Sequence, residues 1–136
     1  MNESDKHIEL VQTIIKYLKN NISTELHPSI KADCLGYNRP TNELKDFIPD
    51  VYFWHQNQLI IGEAKTANDL TKSHSKEQYV GYIKNCENFW GASMIIICVP
   101  WQSVPEAKNY FVDLKKELKS NIKIVIINEL VDAQIV

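Results

Sequence analysis

The sequence predicts an α/β domain in which a central sheet is flanked by helices, with the element order α-β-β-β-α-β-α-β. Three observations indicate this class. Apolar residues recur at helical spacing in three segments, two short β-branched runs have the length of buried strands, and two strand-like segments flank a turn. Because no repeat or Gly/Ser-rich linker divides the 136 residues, we expect a single domain spanning residues 1–136.

The N-terminal half is predicted to contain one helix and three strands. Apolar residues at helical spacing place the helix at about residues 4 to 20. Residues 23–37 are predicted to contain a strand with Pro28 near its start, because Ile30, Ala32 and Cys34 alternate with polar residues. The segments FIPDVYFW and QLIIGEAK are predicted to be strands around a turn of two or four residues within positions 55–58.

The C-terminal half is predicted to alternate helices and buried strands. Ser75 is expected to open a helix, and the apolar run SMIIICVPW is expected to follow it as a strand. Ser103 and Glu106 have the spacing of a capping box, with Pro105 in the first turn, and therefore predict the start of another helix. The segment IKIVIIN is predicted to be the last strand.

Composition narrows the class of protein. A hydrophobic content of 44% and a charged content of 24% are ordinary for a globular protein, and no apolar run has the length of a membrane span. The polar first ten residues do not resemble a secretory signal, so we expect a cytoplasmic protein without membrane contact. Cys34, Cys86 and Cys98 form no Cys-x-x-Cys pair and are expected to be buried, reduced thiols.

Two carboxylates are predicted to meet where the hairpin strands end. Both turn lengths centre the hairpin between residues 56 and 57, so Asp50 lies opposite Glu63 on one face of the sheet. Lys65 projects from the same face because side chains alternate along a strand. Two carboxylates and the carbonyl of Ala64 form an all-oxygen ligand set, which suits Mg²⁺ or Mn²⁺. The chemistry indicated is phosphodiester hydrolysis, and the alternative interpretation is a structural salt bridge.

These residues resemble the motif of the PD-(D/E)XK nuclease superfamily, in which Pro-Asp is followed after a hairpin by Glu-x-Lys. Here the motif reads Pro49-Asp50 and Glu63-Ala64-Lys65. The resemblance implies a restriction-endonuclease-like three-layer sandwich with a central mixed sheet. It also implies that Asp50 and Glu63 bind a divalent metal, that Lys65 assists the attacking water, and that the substrate is DNA. Small members of this kind commonly act as dimers, so a homodimer is a further expectation.

Two further matches involve helices. Gln78 and Tyr82 resemble the Gln-x-x-x-Tyr motif that follows Glu-x-Lys in RecB-like nucleases, and residues four apart share a helix face. The alternative is that Gln78 completes a capping box with Ser75 and that Tyr82 belongs to the core. His7 occupies the place where resolvase-like members carry an acidic residue, on the apolar stripe of the first helix, and its alternative role is structural.

The net charge of −2 provides no general attraction for nucleic acid, so any such contact needs a local basic patch. Lys72, His74 and Lys76 lie near the start of the second predicted helix, where backbone N–H groups favour phosphate. We therefore expect these three residues to contact nucleic acid, with a solvated loop as the alternative.

The preferred hypothesis is a metal-dependent deoxyribonuclease. A competing hypothesis is a catalytically silent nuclease-like domain that binds nucleic acid or a partner protein, because the match on the first helix is incomplete. A third is a structural subunit of an oligomer that uses Trp54, Trp90 or Trp101 as interface anchors.

Overall fold

The protein forms three α-helices and six strands in the parts of the chain that the structure, a computed structural model, describes: residues 3–41, 44, 47–130 and 132–136. Two short 3-10 helices, Thr24–Ser29 and Trp101–Ser103, complete the regular structure. The elements are α1 (Glu3–Lys19), β1 (Lys31–Ala32), β2 (Val51–His55), β3 (Gln58–Ala64), α2 (Ser73–Asn88), β4 (Ala92–Cys98), α3 (Val104–Leu118), β5 (Lys123–Ile127) and β6 (Ala133–Ile135).

All six strands join one mixed sheet in the order β1-β2-β3-β4-β5-β6. The pairs β3–β4 and β4–β5 are parallel, and the other three pairs are antiparallel. Each parallel pair needs a crossover connection, and α2 and α3 provide the two crossovers. The carboxyl ends of β3, β4 and β5 therefore lie at the same end of the sheet.

Helices cover both faces of the sheet. Alternate residues of β3 enter two separate apolar clusters: Ile60 and Ala64 pack with α1, whereas Leu59 and Ile61 pack with α2 and α3. A Cβ atom at Gly62 would lie 2.8 Å from the Cγ2 atom of Ile14, so the glycine allows α1 to approach the sheet closely. The predicted α/β class with a helix-flanked mixed sheet is confirmed.

The predicted strand in residues 23–37 is mostly wrong. Residues Thr24–Ser29 form a 3-10 helix that contains Pro28, and the strand itself has two residues, Lys31 and Ala32. Proline fixes φ near −65° and lacks an N–H, which suits a tight helical turn better than a ladder of strand hydrogen bonds. Of the apolar residues expected to alternate with polar ones along this strand, Ile30 and Ala32 are buried as the pattern requires.

Neither predicted capping box forms. Helix α2 begins at Ser73, and the hydroxyl of Ser75 donates a hydrogen bond to the carbonyl of Asp69 at 2.6 Å from inside the first turn. Ser103 stands at the N-cap of α3 as predicted, but its side chain makes no capping hydrogen bond. The helix positions were therefore nearly right, although the side-chain contacts that were expected to fix them were wrong.

Strand β6 was not predicted from the sequence. Its three residues are all exposed, and the strand is shorter than the four to eight residues over which an alternation of polar and apolar side chains indicates a strand. None of the helices in the described residues has the length and apolar character needed to span a membrane.

Replacing Gly91 with alanine should destabilise the fold strongly. A Cβ atom at residue 91 would lie 2.1 Å from the carbonyl oxygen of Asn57, and this oxygen accepts a hydrogen bond from Ala92 N–H at 2.7 Å. The contact is with backbone, so no side chain can rotate away to relieve it. We expect the free energy of unfolding, measured by urea denaturation, to fall by about 3 kcal/mol or more.

Gly36→Ala is the matched control for this prediction. Gly36 has a φ of 94°, yet a Cβ atom there would meet nothing within 4 Å. Its replacement should therefore cost only the backbone strain, about 1 kcal/mol. An equal loss of stability in the two variants would contradict the argument from the Asn57 contact.

Candidate active site

The candidate site lies where the β2–β3 hairpin opens at the carboxyl end of β3. The hairpin turn has two residues, Gln56 and Asn57, and the paired positions run from His55–Gln58 to Val51–Gly62. Continuing this register by one position places Asp50 opposite Glu63, as predicted. Asp50 immediately precedes β2, and Glu63 is the penultimate residue of β3.

Each of the two carboxylates accepts a hydrogen bond from a backbone N–H across the hairpin. The N–H of Asp50 donates to Oε1 of Glu63 at 3.4 Å, and the N–H of Ala64 donates to Oδ2 of Asp50 at 2.9 Å. In a strand, the N–H and the carbonyl of one residue point to the same side, so the Ala64 carbonyl also faces the side of Asp50. The side chain of Ala64 packs into the α1 cluster.

Burial sets the electrostatics of Glu63. Its side chain is 5% exposed, and the pKa of its carboxyl is raised to about 8 because burial, followed by the negative charge of Asp50, disfavours the charged form. Lys65 and the hydroxyl of Tyr82 oppose this rise in the pKa. In the absence of a further cation, Glu63 therefore favours the protonated state at neutral pH.

Lys65 lies beside Glu63, on the same face of the sheet, as the alternation of side chains predicts. Its Nζ atom is 3.5 Å from Oε2 of Glu63 and donates a hydrogen bond to Oε1 of Gln78 at 2.5 Å. The side chain is only 10% exposed, so the ammonium is held in one place rather than free in solvent.

Helix α2 supplies the two residues of the predicted Gln-x-x-x-Tyr motif. Gln78 accepts the hydrogen bond from Lys65, and the hydroxyl of the fully buried Tyr82 donates to Oε1 of Glu63 at 2.9 Å. Gln78 therefore does not form the alternative capping box with Ser75. Tyr82 packs in the core and also contacts the site, so its two interpretations are compatible.

Sequence reasoning missed Tyr79, whose ring centroid lies 5.9 Å from Nζ of Lys65. The ring is fully buried, and the hydroxyl donates to the carbonyl of Leu70 at 2.8 Å. Burial raises the pKa of Tyr79 above its ordinary value, so the phenol stays neutral. The residue lies in the apolar stripe of α2, and nothing in its spacing separates a core tyrosine from one that faces a lysine.

His7 reaches the site from α1, on the opposite face of the sheet. Its Nε2 atom lies 3.2 Å from Oδ2 of Asp50, the oxygen that also accepts from Ala64. This contact raises the pKa of the imidazole. Glu9, two residues further along α1, pairs with Lys6 at 3.3 Å. The structure thus brings His7, Asp50, Glu63, Lys65, Gln78 and Tyr82 together.

The donor atoms fit a small divalent cation. Within the described part of the chain, no group of three or more His, Cys, Asp or Glu side chains is arranged to hold a metal ion. Mg²⁺, however, is usually held by one or two carboxylates together with waters and substrate phosphates. Asp50 and Glu63 provide the two carboxylates, and a cation between them would offset the repulsion that favours protonation of Glu63.

The three basic residues near the start of α2 each contact a different partner. Lys72 forms an ion pair with Asp69 at 2.8 Å, and Lys76 forms one with Glu117 of α3 at 3.1 Å. The ring of His74 stacks edge-on near Phe47, with the centroids 6.4 Å apart. Exposed ion pairs are weak and can exchange for phosphate, so the expected nucleic-acid contact stays a prediction.

The three tryptophans are exposed but do not form one surface. Trp54 and Trp90 lie at the end of the sheet that carries the hairpin turn, whereas Trp101 follows the carboxyl end of β4. The expected homodimer stays a prediction. Cys34, Cys86 and Cys98 are free thiols; Cys86 and Cys98 are buried as expected, whereas the expectation is wrong for Cys34, which is only half-buried.

Comparison of the chain with protein-family models, with curated proteins and with solved structures finds no match. The function must therefore be argued from the geometry of the site.

Proposed function

We propose that the protein is a divalent-metal-dependent nuclease that hydrolyses phosphodiester bonds in DNA. The observation that supports this most strongly is the convergence of Asp50, Glu63 and Lys65 at one end of the sheet. Hydrolysis of a phosphodiester requires neutralisation of phosphate charge and a positioned water molecule. Two carboxylates with a neighbouring ammonium provide groups for both tasks.

In this proposal Asp50, Glu63 and the Ala64 carbonyl hold Mg²⁺ or Mn²⁺. When bound, the ion supplies charge neutralisation at a phosphate oxygen and makes a water molecule more acidic. Tyr82 fixes one oxygen of Glu63 by its hydrogen bond, and His7 contacts the oxygen of Asp50 that already accepts from Ala64. These contacts orient both carboxylates before substrate binds.

Lys65 acts beside the carboxylates. Gln78 accepts one hydrogen bond from its ammonium and so restrains the direction in which the remaining N–H groups point. Those groups orient the attacking water and stabilise the negative charge that develops on the phosphate. Because the side chain is almost completely buried, this interaction is screened little by solvent.

Digestion of several DNA forms tests the proposal. The wild-type protein with Mg²⁺ or Mn²⁺ should cut at least one of plasmid, linear duplex, single-stranded or branched DNA, and EDTA should stop the reaction. Asp50→Asn keeps the shape of the side chain but loses the charge, so it should leave no metal-dependent product. Equal cutting by the two proteins would reveal a contaminant, and cutting by neither would contradict the proposal.

A second candidate is a catalytically silent nuclease-like domain that binds nucleic acid or a partner protein. It is favoured by His7, which contacts Asp50 at 3.2 Å in the place where resolvase-like members carry an acidic residue, so that the site has one carboxylate fewer. Calorimetric titration with Mn²⁺ separates the candidates. A nuclease site should bind the ion and lose affinity in Glu63→Gln, whereas a silent domain should bind none.

A further inference from the structure

A groove without acidic residues runs beside α1, between its C-terminal half and the turn at residues 34–37. It encloses about 430 Å³, and the residues that line it include Lys16, Lys19, Leu35 and Tyr37. None of the described residues that line it is acidic. In a chain with a net charge of −2, this groove is a local concentration of positive charge.

The two lysines of the groove are available to an anion. Among the described residues, no carboxylate forms an ion pair with Lys16 or Lys19, in contrast to Lys72 and Lys76 near the start of α2. The Nζ atom of Lys19 lies 5.0 Å from the centroid of the Tyr37 ring. This cation–π contact holds the ammonium at the groove without neutralising it.

The groove is connected to the candidate site on both of its sides. On the loop side, the N–H of Asp33 donates to the backbone carbonyl of Asp50 at 2.8 Å, and Leu35 lies two residues further along. On the helix side, Gln12, Ile15, Lys16 and Lys19 of α1 line the groove, and His7 precedes them on the same helix, where it contacts Asp50. Residue 19 is twelve positions after residue 7, and therefore about 18 Å away along the helix axis.

The spacing suits successive phosphates of one strand. DNA rises about 3.4 Å per nucleotide along its axis, so about 18 Å corresponds to roughly five nucleotides. A strand that has one phosphate at Asp50 and Glu63 can therefore place later phosphates at Lys16 and Lys19. The contacts would be to the backbone and would carry no sequence preference.

Leu35 projects from the turn that borders this groove. Its side chain is 99% exposed, and the following residue, Gly36, has a φ of 94° that produces the tight turn. Proteins that deform duplex DNA insert an apolar side chain between two base pairs while cations hold the adjacent phosphates. Leu35 together with Lys16 and Lys19 has this combination of groups.

We infer that the groove binds one strand of duplex DNA through Lys16 and Lys19, and that Leu35 inserts at a base step beside the phosphates that these lysines hold. The choice of DNA as the occupant rests on the proposed function. The charge, the connection to Asp50 and the exposed leucine are independent of it. The experiment below also measures binding of single-stranded DNA and of RNA, the two other possible occupants of the groove.

Binding is measured without cutting, in the Asp50→Asn background with EDTA, from the fluorescence anisotropy of a labelled duplex at several salt concentrations. Adding Lys16→Gln and Lys19→Gln should weaken binding by about tenfold to 100-fold at low salt. It should also reduce the slope of log affinity against log salt by about two, close to one for each phosphate that a lysine no longer neutralises.

The matched control replaces Lys108 and Lys116 with glutamine. Both residues are exposed on α3, which covers the other face of the sheet, and the change in charge is the same. Equal effects of the two double substitutions would overturn the groove as the binding site. Tighter binding of single-stranded DNA or RNA, with the same dependence on Lys16 and Lys19, would overturn duplex DNA as the occupant.

The role of Leu35 is tested with 2-aminopurine, which brightens when it leaves the base stack, placed at successive positions of the duplex. Wild-type Leu35 should raise the fluorescence at one step, Leu35→Met should retain the rise, and Leu35→Ala should lose it. An equal rise with alanine would overturn the insertion. If the wild-type chain cuts no DNA but its binding depends on both lysines, the nuclease proposal fails and the groove stands.

Discussion

Replacing Lys65 with methionine should lower the rate of metal-dependent DNA cleavage by about 100-fold to 10,000-fold, the usual effect of losing a positioned proton donor or acceptor. Methionine has nearly the length of lysine and suits a buried site, but it cannot donate to Gln78 or to a phosphate. In the wild type, the ammonium lies 3.5 Å from Oε2 of Glu63, within reach of a reacting group at the carboxylates.

The measurement is single-turnover cleavage at saturating Mn²⁺, combined with calorimetric titration of Mn²⁺. We expect the affinity for the ion to change much less than the rate, because Lys65 supplies no metal ligand. Lys115→Met is the control, since Lys115 is half-buried on α3 and donates to the Val136 carbonyl at 2.9 Å. A Lys65 variant that cleaves at the wild-type rate would remove this residue from the mechanism.

The hairpin part of the site could be predicted because local rules determine it. Once the turn is centred between residues 56 and 57, the register of an antiparallel pair follows, and strand alternation places Lys65 on the face of Glu63. The structure has the predicted register through Val51 and Gly62. Asp50, Glu63 and Lys65 could therefore be placed without any knowledge of tertiary packing.

The helix contacts were only partly predictable. Helical spacing correctly grouped Gln78 with Tyr82, but their separate partners, Lys65 and Glu63, depend on how α2 crosses the sheet. The same limit applies to Lys76, whose partner Glu117 lies on another helix. Contacts between elements distant in sequence leave no periodic signal in either element.

The groove beside α1 could not be predicted, because it is formed by elements that are distant in sequence. Lys16 and Lys19 are ordinary lysines in the last turns of a helix, and Leu35 fitted neither side of the alternation expected for a strand. Their shared location depends on the short strand β1, which pairs with β2 and brings the following turn beside α1. Because that strand was predicted too long, its turn could not be placed.

Replacing Glu63 with glutamine should stabilise the metal-free protein at alkaline pH and leave its stability nearly unchanged at acidic pH. Burial, and then the charge of Asp50, raise the pKa of Glu63 from 4.5 to about 8 in the folded protein. Between these two values the folded protein keeps a proton that the unfolded chain releases. The free energy of unfolding of the wild type therefore falls as pH rises through this range.

Glutamine has no proton to release, so the variant avoids this loss. In EDTA, the difference between the variant and the wild type should grow from near zero below pH 4.5 to a few kcal/mol above pH 8. Urea denaturation at a series of pH values measures it. The exposed Glu106, replaced by glutamine in the same way, should not reproduce the pH dependence.

Metal should narrow this difference in stability. An ion at 100 times its dissociation constant stabilises the folded state by about 2.7 kcal/mol, and this gain needs the charged carboxylate of Glu63. Addition of Mn²⁺ above pH 8 should therefore raise the melting temperature of the wild type, by about 4 °C for each kcal/mol, and raise that of Glu63→Gln much less. Equal shifts in the two proteins would mean that the ion binds elsewhere. A wild type that is destabilised by alkali and unaffected by Mn²⁺ would identify Glu63 as a buried structural carboxyl that binds no metal.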